Sequence, residues 1–348
     1  IEARHWRHMQ EKLYWEQRKR RKKKTMLNFN EFQEHIKNTI LDYLPEEFSD
    51  ADVDLQQVAK NNETLTGIII HQEKINISPT IYLDPFYKDY LSGSKDLDTV
   101  MGEIGQIYVQ NVPDKNFDVS RITDFELVKD RIIAKIICME NNEKLLEGKP
   151  YRQMADLAVT YHVLLSKENG MMTVPISDKL MQSWGIAEDV LFTAAKNGMS
   201  NFTPVTIKSM TETLIEMCGE EQFELIGVPT EADEMMYIMS NTEKVNGAAA
   251  IIDPNNMDLA RSYMQDDFYI LPSSVHEVLL VKLNQMSVDE LEDMVKTVNA
   301  SSVALQDRLS DHVYKYDFAR HEIYRADQEQ QRQAELNAEQ ARTHATGR

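Results

Sequence analysis

The chain has 348 residues, with 57 Asp and Glu against 38 Lys and Arg and a net charge of −19. Its 42% apolar content is enough for sizeable cores, in one large domain or two ordinary ones. So large an acid excess excludes nucleic-acid binding by the body of the chain, because gripping a phosphate backbone needs Lys and Arg to displace its counterions.

The bases are concentrated at one end. Residues 1–25 close on Arg18-Lys19-Arg20-Arg21-Lys22-Lys23-Lys24, which leaves about −26 on the rest. Trp6, Tyr14 and Trp15 interleave with these bases. Such an arm can stack on single-stranded bases, lie on an anionic membrane, or be an extension upstream of a unit that starts at Met26. Residues 26–348 are read as binding no nucleic acid. Cys138 and Cys218 have no partnered spacing and read as two thiols in a reducing compartment. The apolar runs 67–70 and 247–252 fall far short of the roughly 20 residues that span a bilayer. No leader resembles a signal peptide, so the sequence predicts a cytoplasmic protein without a membrane span.

Asn30-Glu31-Phe32-Gln33 resembles a capping box, and Phe32, Ile36, Ile40 and Tyr43 repeat at helical spacing up to Pro45. Residues 64–72 and 75–83 are β-branched runs that predict paired strands. Asp84-Pro85 predicts a helix start, and a second helix spans about 96–108. Residues 121–140 fit a helical face or a buried strand equally. Residues 156–165 and 171–176 predict an antiparallel pair. Ser177 caps a helix holding Leu180, Met181 and Trp184 and ended by Gly185, and a helix over 187–197 follows, closed by Gly198. Strands are expected near 235–240, 248–252, 268–271 and 277–283, with a helix over 258–264. Ser287-Val288-Asp289-Glu290 opens a helix with Leu291, Met294 and Val298 on one face. Without regular βαβ alternation the pattern predicts an α+β fold of mixed, mainly antiparallel sheets with helices on their faces. The expected divisions are a basic arm (1–25), two α+β subdomains (26–150 and 151–324) and a polar helical or disordered tail (325–348).

His276-Glu277 invites a metalloprotease reading, but a zinc helix needs a second His four residues on, where Leu280 stands. Strand alternation puts His276, Val278 and Leu280 on one face and Glu277 on the other, making His276 a hydrogen-bonded core residue. Ser273 and Ser274 lack the Gly-x-Ser-x-Gly elbow and read as a turn. Met101-Gly102-Glu103-Ile104-Gly105 lacks the lysine of a phosphate loop and reads as small residues at helix contacts. Residues 311–324 mix carboxylates with His312 and His321 densely enough to raise a metal site, while Tyr314 and Tyr316 fit a terminal hairpin packed on the domain. The candidates, if a site exists, are His162, His276, Glu277, Ser273 and Ser274; no cofactor or metal is expected.

Several blocks carry a family resemblance: Leu180-Met181-Gln182-Ser183-Trp184-Gly185-Ile186, Met239-Ser240-Asn241 with Gly247-Ala248-Ala249, Leu271-Pro272-Ser273-Ser274-Val275-His276-Glu277, and Leu309-Ser310-Asp311-His312-Val313-Tyr314. Together they resemble the domain of unknown function 5688 family of anaerobic Gram-positive bacteria, over about residues 26–324. The resemblance implies an accessory or mobile-element setting and brings no activity, substrate or catalytic residue. The expected function is therefore a non-catalytic module that binds another protein. The alternatives are a hydrolase or metal-dependent enzyme using His162, His276 and Glu277, and an acidic mimic of DNA. The first pair of readings parts on whether those three side chains share an accessible pocket.

Overall fold

A computed structural model describes residues 26–334, 336 and 337, except 74, 75, 113–117, 119, 168, 169, 221, 222, 224–235, 284 and 285. The basic arm and half of the polar tail lie outside the described residues. The chain divides into two units: one runs to Val58 and from Thr64 to Asp118, the other takes Ala59–Glu63 and continues from Val119. Both mix helices with antiparallel sheet, so the fold class is α+β.

In the first unit, helix α1 (Phe29–Thr39) starts two residues earlier than its sequence suggests. Asn28, not Asn30, is the cap: its side chain accepts from Glu31 N–H while Glu31 reaches back to the Asn28 N–H. Phe32, Ile36 and Ile40 are fully buried, but Tyr43 is exposed and donates to Asp98. Strands β1 (Asp52–Lys60), β2 (Glu63–His71) and β3 (Thr80–Tyr82) form one sheet. Helix α2 (Leu83–Ser92) begins before Asp84, whose carboxylate accepts from Thr66 N–H at 2.7 Å instead of capping. Helix α3 (Leu97–Asn111) is capped by Asp96. Gly105 is needed there, since a Cβ would lie 2.7 Å from Tyr43 O.

The second unit resolves the ambiguous stretch 121–140 into both types. Short helices α4 (Ser120–Thr123) and α5 (Phe125–Val128) precede strand β4 (Ile132–Cys138). A one-turn helix α6 (Glu143–Leu146) leads to β5 (Tyr151–Met154), β6 (Leu157–Ser166) and β7 (Met172–Pro175). β6 pairs with all three other strands of this sheet. Helix α7 (Asp178–Trp184) has its Ser177 cap and left-handed Gly185 as expected; Trp184 is half-buried against Phe125 and donates to Ile122 O at 3.2 Å. Helix α8 (Glu188–Phe202) runs straight through Gly198, which is not its end. That glycine lets the helix lie on β4, where a Cβ would sit 2.0 Å from Ile132 O.

The second sheet of this unit has the order β13-β12-β10-β11-β9-β8. Its strands are β8 (Val205–Ser209), β9 (Met236–Asn241), β10 (Phe268–Ser274), β11 (Glu277–Lys282), β12 (Tyr314–Asp317) and β13 (Glu322–Arg325). Helix α9 (Met210–Cys218) follows β8. Residues 248–252 are not a strand: Gly247–Ile252 forms a fully buried 3-10 helix of small and apolar side chains. Helix α10 (Pro254–Met264) and α8 share a core with that segment, β4, β6 and one face of the larger sheet. Helix α11 (Val288–Ser301) covers the other face through Leu291 and Val295. Its expected apolar stripe is split, because Met294 (40% exposed) and Val298 (43% exposed) point outward.

Candidate functional site

Four of the five sequence candidates meet in one turn, and His162 stands apart in the other sheet. His276 stands in the tight turn between β10 and β11, not within a strand, because Ser274 pairs directly with Glu277. Its Nδ1 accepts from Asn246 N–H at 3.1 Å and its Nε2 lies 3.3 Å from Asp307 Oδ1. Its carbonyl accepts from Ser240 Oγ at 2.8 Å. The imidazole thus ties the 3-10 helix to the sheet, with Gly247 small because a Cβ would meet His276 O at 2.5 Å. Ser273 Oγ donates to Glu277 Oε1 at 3.2 Å, and Ser274 Oγ accepts from His276 N–H at 3.0 Å. Both serines serve the turn. His162 lies on β6 in the other sheet, and none of the five lines either cleft described next.

The stretch Leu309–His312 instead lines a cleft of about 490 Å³, together with Cys138, Glu140, Asp156, Lys296 and Arg308. Its floor is hydrogen-bonded. Asp156, in the two-residue turn between β5 and β6, accepts from Tyr314 Oη at 2.9 Å and Ser310 Oγ at 3.2 Å. Burial first, and the neighbouring carboxylates Asp156, Glu140 and Asp311 after it, raise the Cys138 pKa and keep it a thiol. Buried Asn142 donates to the Asn61 and Asn62 side chains and to Cys138 O, and Asn62 donates on to Arg308 O. A second cleft, also about 490 Å³, has an apolar floor of Ile251, Ile252 and Phe192, with Arg152 3.9 Å over the Phe192 ring. At its rim Tyr316, pushed up to about 12 by burial and nearby aspartates, lies 3.1 Å from His321 Nδ1.

Among the described residues, Glu292, His312 and Asp327 bring three donor atoms within 4.8 Å of one another. His312 was visible in the sequence. Glu292 and Asp327 were not, since they stand 20 residues before and 15 after it and only the packing of α11 against the terminal hairpin joins them. Glu292 is buried, with Oε1 3.2 Å from His312 Nδ1 and Oε2 accepting from Lys296. Arg325 grips both oxygens of Asp327 at 3.0 and 2.6 Å, and its hydrogen bonds hold that carboxyl below its usual range. The donor set suits an oxygen-preferring divalent ion, but two cations already neutralise the two carboxylates, and the chemistry fits an ion-pair network better. A chelator should therefore leave the melting temperature of the purified protein unchanged. A drop of several degrees, reversed by manganese or zinc, would show that a metal displaces Arg325.

Antiparallel sheets, face-packed helices and a polar cleft built from the Leu-Ser-Asp-His block define an α+β domain with a formed surface site. The Family of unknown function (DUF5688) matches residues 29–318, and the chain belongs to that family. No curated protein and no solved structure matches it. Among the described residues no helix is long and apolar enough to cross a membrane.

Proposed function

We propose that the domain works in the bacterial cytoplasm as a non-catalytic accessory module that binds another protein. The observation that carries this reading is the outward pair Met294 and Val298, one turn apart on α11. Their helix already buries Leu291 and Val295, so this second apolar row, which joins no core among the described residues, suits a partner. The enzyme reading at His162, His276 and Glu277 has no shared cleft behind it, and the turn consumes two of these residues structurally.

The test is cross-linking and affinity purification from the native host, with Met294→Asp/Val298→Asp as the comparison. We expect a stoichiometric protein partner that the double variant loses at unchanged melting temperature. A partner retained by the variant would refute this surface, and a partner displaced by DNA would support the mimic instead. Recovery of the protein alone, with hydrolytic activity lost on His312→Ala, would overturn the binding reading.

A further inference from the structure

One face of the β4–β6–β5 sheet, largely buried at Ile133, Ala158 and Leu164, collects positive charge in an otherwise acidic protein. Directly paired residues of antiparallel strands share a face, and pairing sets Lys135 opposite Thr160 and Leu164 opposite Thr173. His162, two residues after Thr160, leaves on that same face. Lys135 Nζ donates to Thr173 Oγ1 at 3.1 Å, and Thr160 Oγ1 donates to Lys135 O at 3.3 Å. Thr160 Oγ1 also lies 3.2 Å from His162 Nε2, and as its proton is committed to the carbonyl it accepts there from Nε2–H. Nδ1 is then a bare acceptor. It is sealed from solvent and has no partner among the described residues, although other parts of the ring keep some exposure.

The charges acting on this pair are those of lysines. Burial first, then Lys135 and Lys149, holds His162 well below the usual imidazole range. Burial first, then Lys60 at the end of β1, brings Lys135 down to about 8. Lys149 donates to Leu145 O and is itself lowered by burial. A buried acceptor facing clustered ammonium groups is an unbalanced arrangement that an anion resolves on both counts.

We propose that this face binds a small oxyanion, a phosphate or carboxylate group, held by Lys135 and Lys149 and by the Nδ1–H that His162 gains when it takes up a proton on binding. The size limit comes from the neighbouring surface. Lys149 and Tyr151, which pairs with Thr160, border a depression of about 830 Å³ that Glu140, Glu143, Glu147 and Asp178 also line and that neither His162 nor Lys135 reaches. Those carboxylates repel a polyanion such as nucleic acid and leave a small, compact anion as the fitting ligand.

Sulfate is the first probe, because its charge is constant from pH 6 to 9. Titrating it into the full chain should give one saturable site by calorimetry, with proton uptake and a downfield shift of the His162 ring protons. Affinity should fall about tenfold or more between pH 6 and 8.5 as the imidazole becomes harder to protonate. Lys135→Met and the more exposed Lys149→Met should each abolish saturation, while Lys208→Met on β8 leaves it intact. Phosphate and acetate in parallel titrations identify which oxyanion is preferred. Non-saturating shifts, equal binding to Lys135→Met, or a His162 ring that does not respond would each overturn the proposal.

Discussion

Gly198→Ala should destabilise the second unit by about 3 kcal/mol, at the upper end of what over-packing a well-filled core costs. The reason is backbone against backbone. The added Cβ would sit 2.0 Å from Ile132 O and 3.2 Å from Asp130 O, and neither can swing aside as a flexible side chain does. Helix α8 would have to lift off β4, loosening Leu191, Ala194, Ala195 and Met199 from the core they share with Ile132 and Ala134. The control is Gly102→Ala on α3, where a Cβ meets nothing within 4 Å and removal of glycine from a helix should stabilise slightly. Urea unfolding of both variants checks the contrast; a Gly198→Ala midpoint equal to that of the parent would mean the helix sits farther from the strand than described.

Lys135→Met should have the opposite sign and raise stability by about 3 kcal/mol at pH 7 in a buffer free of binding anions. A folded pKa of about 8, against about 10.5 for the free amine, means that the fold carries the full cost of the buried ammonium below pH 8. Between pH 8 and 10.5 the folded amine releases its proton before the unfolded one does, so parental stability rises with pH. His162 acts in the same sense lower down: its depressed pKa makes stability fall as pH drops below the ordinary imidazole value of about 6.5. Burial raises Tyr161 and Tyr314, so stability turns down again above the ordinary phenol value of about 10. The parent should therefore melt highest near pH 9–10, and Lys135→Met should flatten the rise from pH 7 to 9. Melting temperatures that fall over that interval in the parent would refute the buried-amine account.

The sequence made the helix boundaries legible where a cap supplies a chemical signal, as at Asp96, Ser177, Gly185 and Ser287. It failed where the signal is tertiary. Six consecutive small or apolar residues at 247–252 are equally consistent with a buried strand and a buried 3-10 helix, and only the approach of His276 O to Gly247 decides. Strand β1 goes unread although Val53 and Leu55 alternate with Asp52, Asp54 and Gln56, because the Gln56-Gln57 pair breaks the alternation and aspartate disfavours strands. Gly198 looked like a helix stop because a glycine packed against a neighbouring carbonyl and a glycine that ends a helix are the same letter. Within the candidate site, the Leu-Ser-Asp-His block was visible. Its partners Asp156, Glu292 and Asp327 were not, since nothing local links them to it.

The hydrogen bonds that shape the cleft span long stretches of chain, and this fixes when it can form. Asn61 donates to Gln306 O across 245 residues, Asn62 to Arg308 O across 246, and Ser310 to Asp156 across 154. Loop closure over such distances is slow, and during synthesis Asn61, Asn62 and Asp156 leave the ribosome long before Gln306, Arg308 and Ser310 exist. The Asn142 bonds to Asn61 and Asn62 can form first, whereas the cleft is completed only by the arrival of the last part of the domain: a chain stalled before residue 305 lacks every bond from Asn61, Asn62 and Asp156 to Gln306, Arg308 and Ser310.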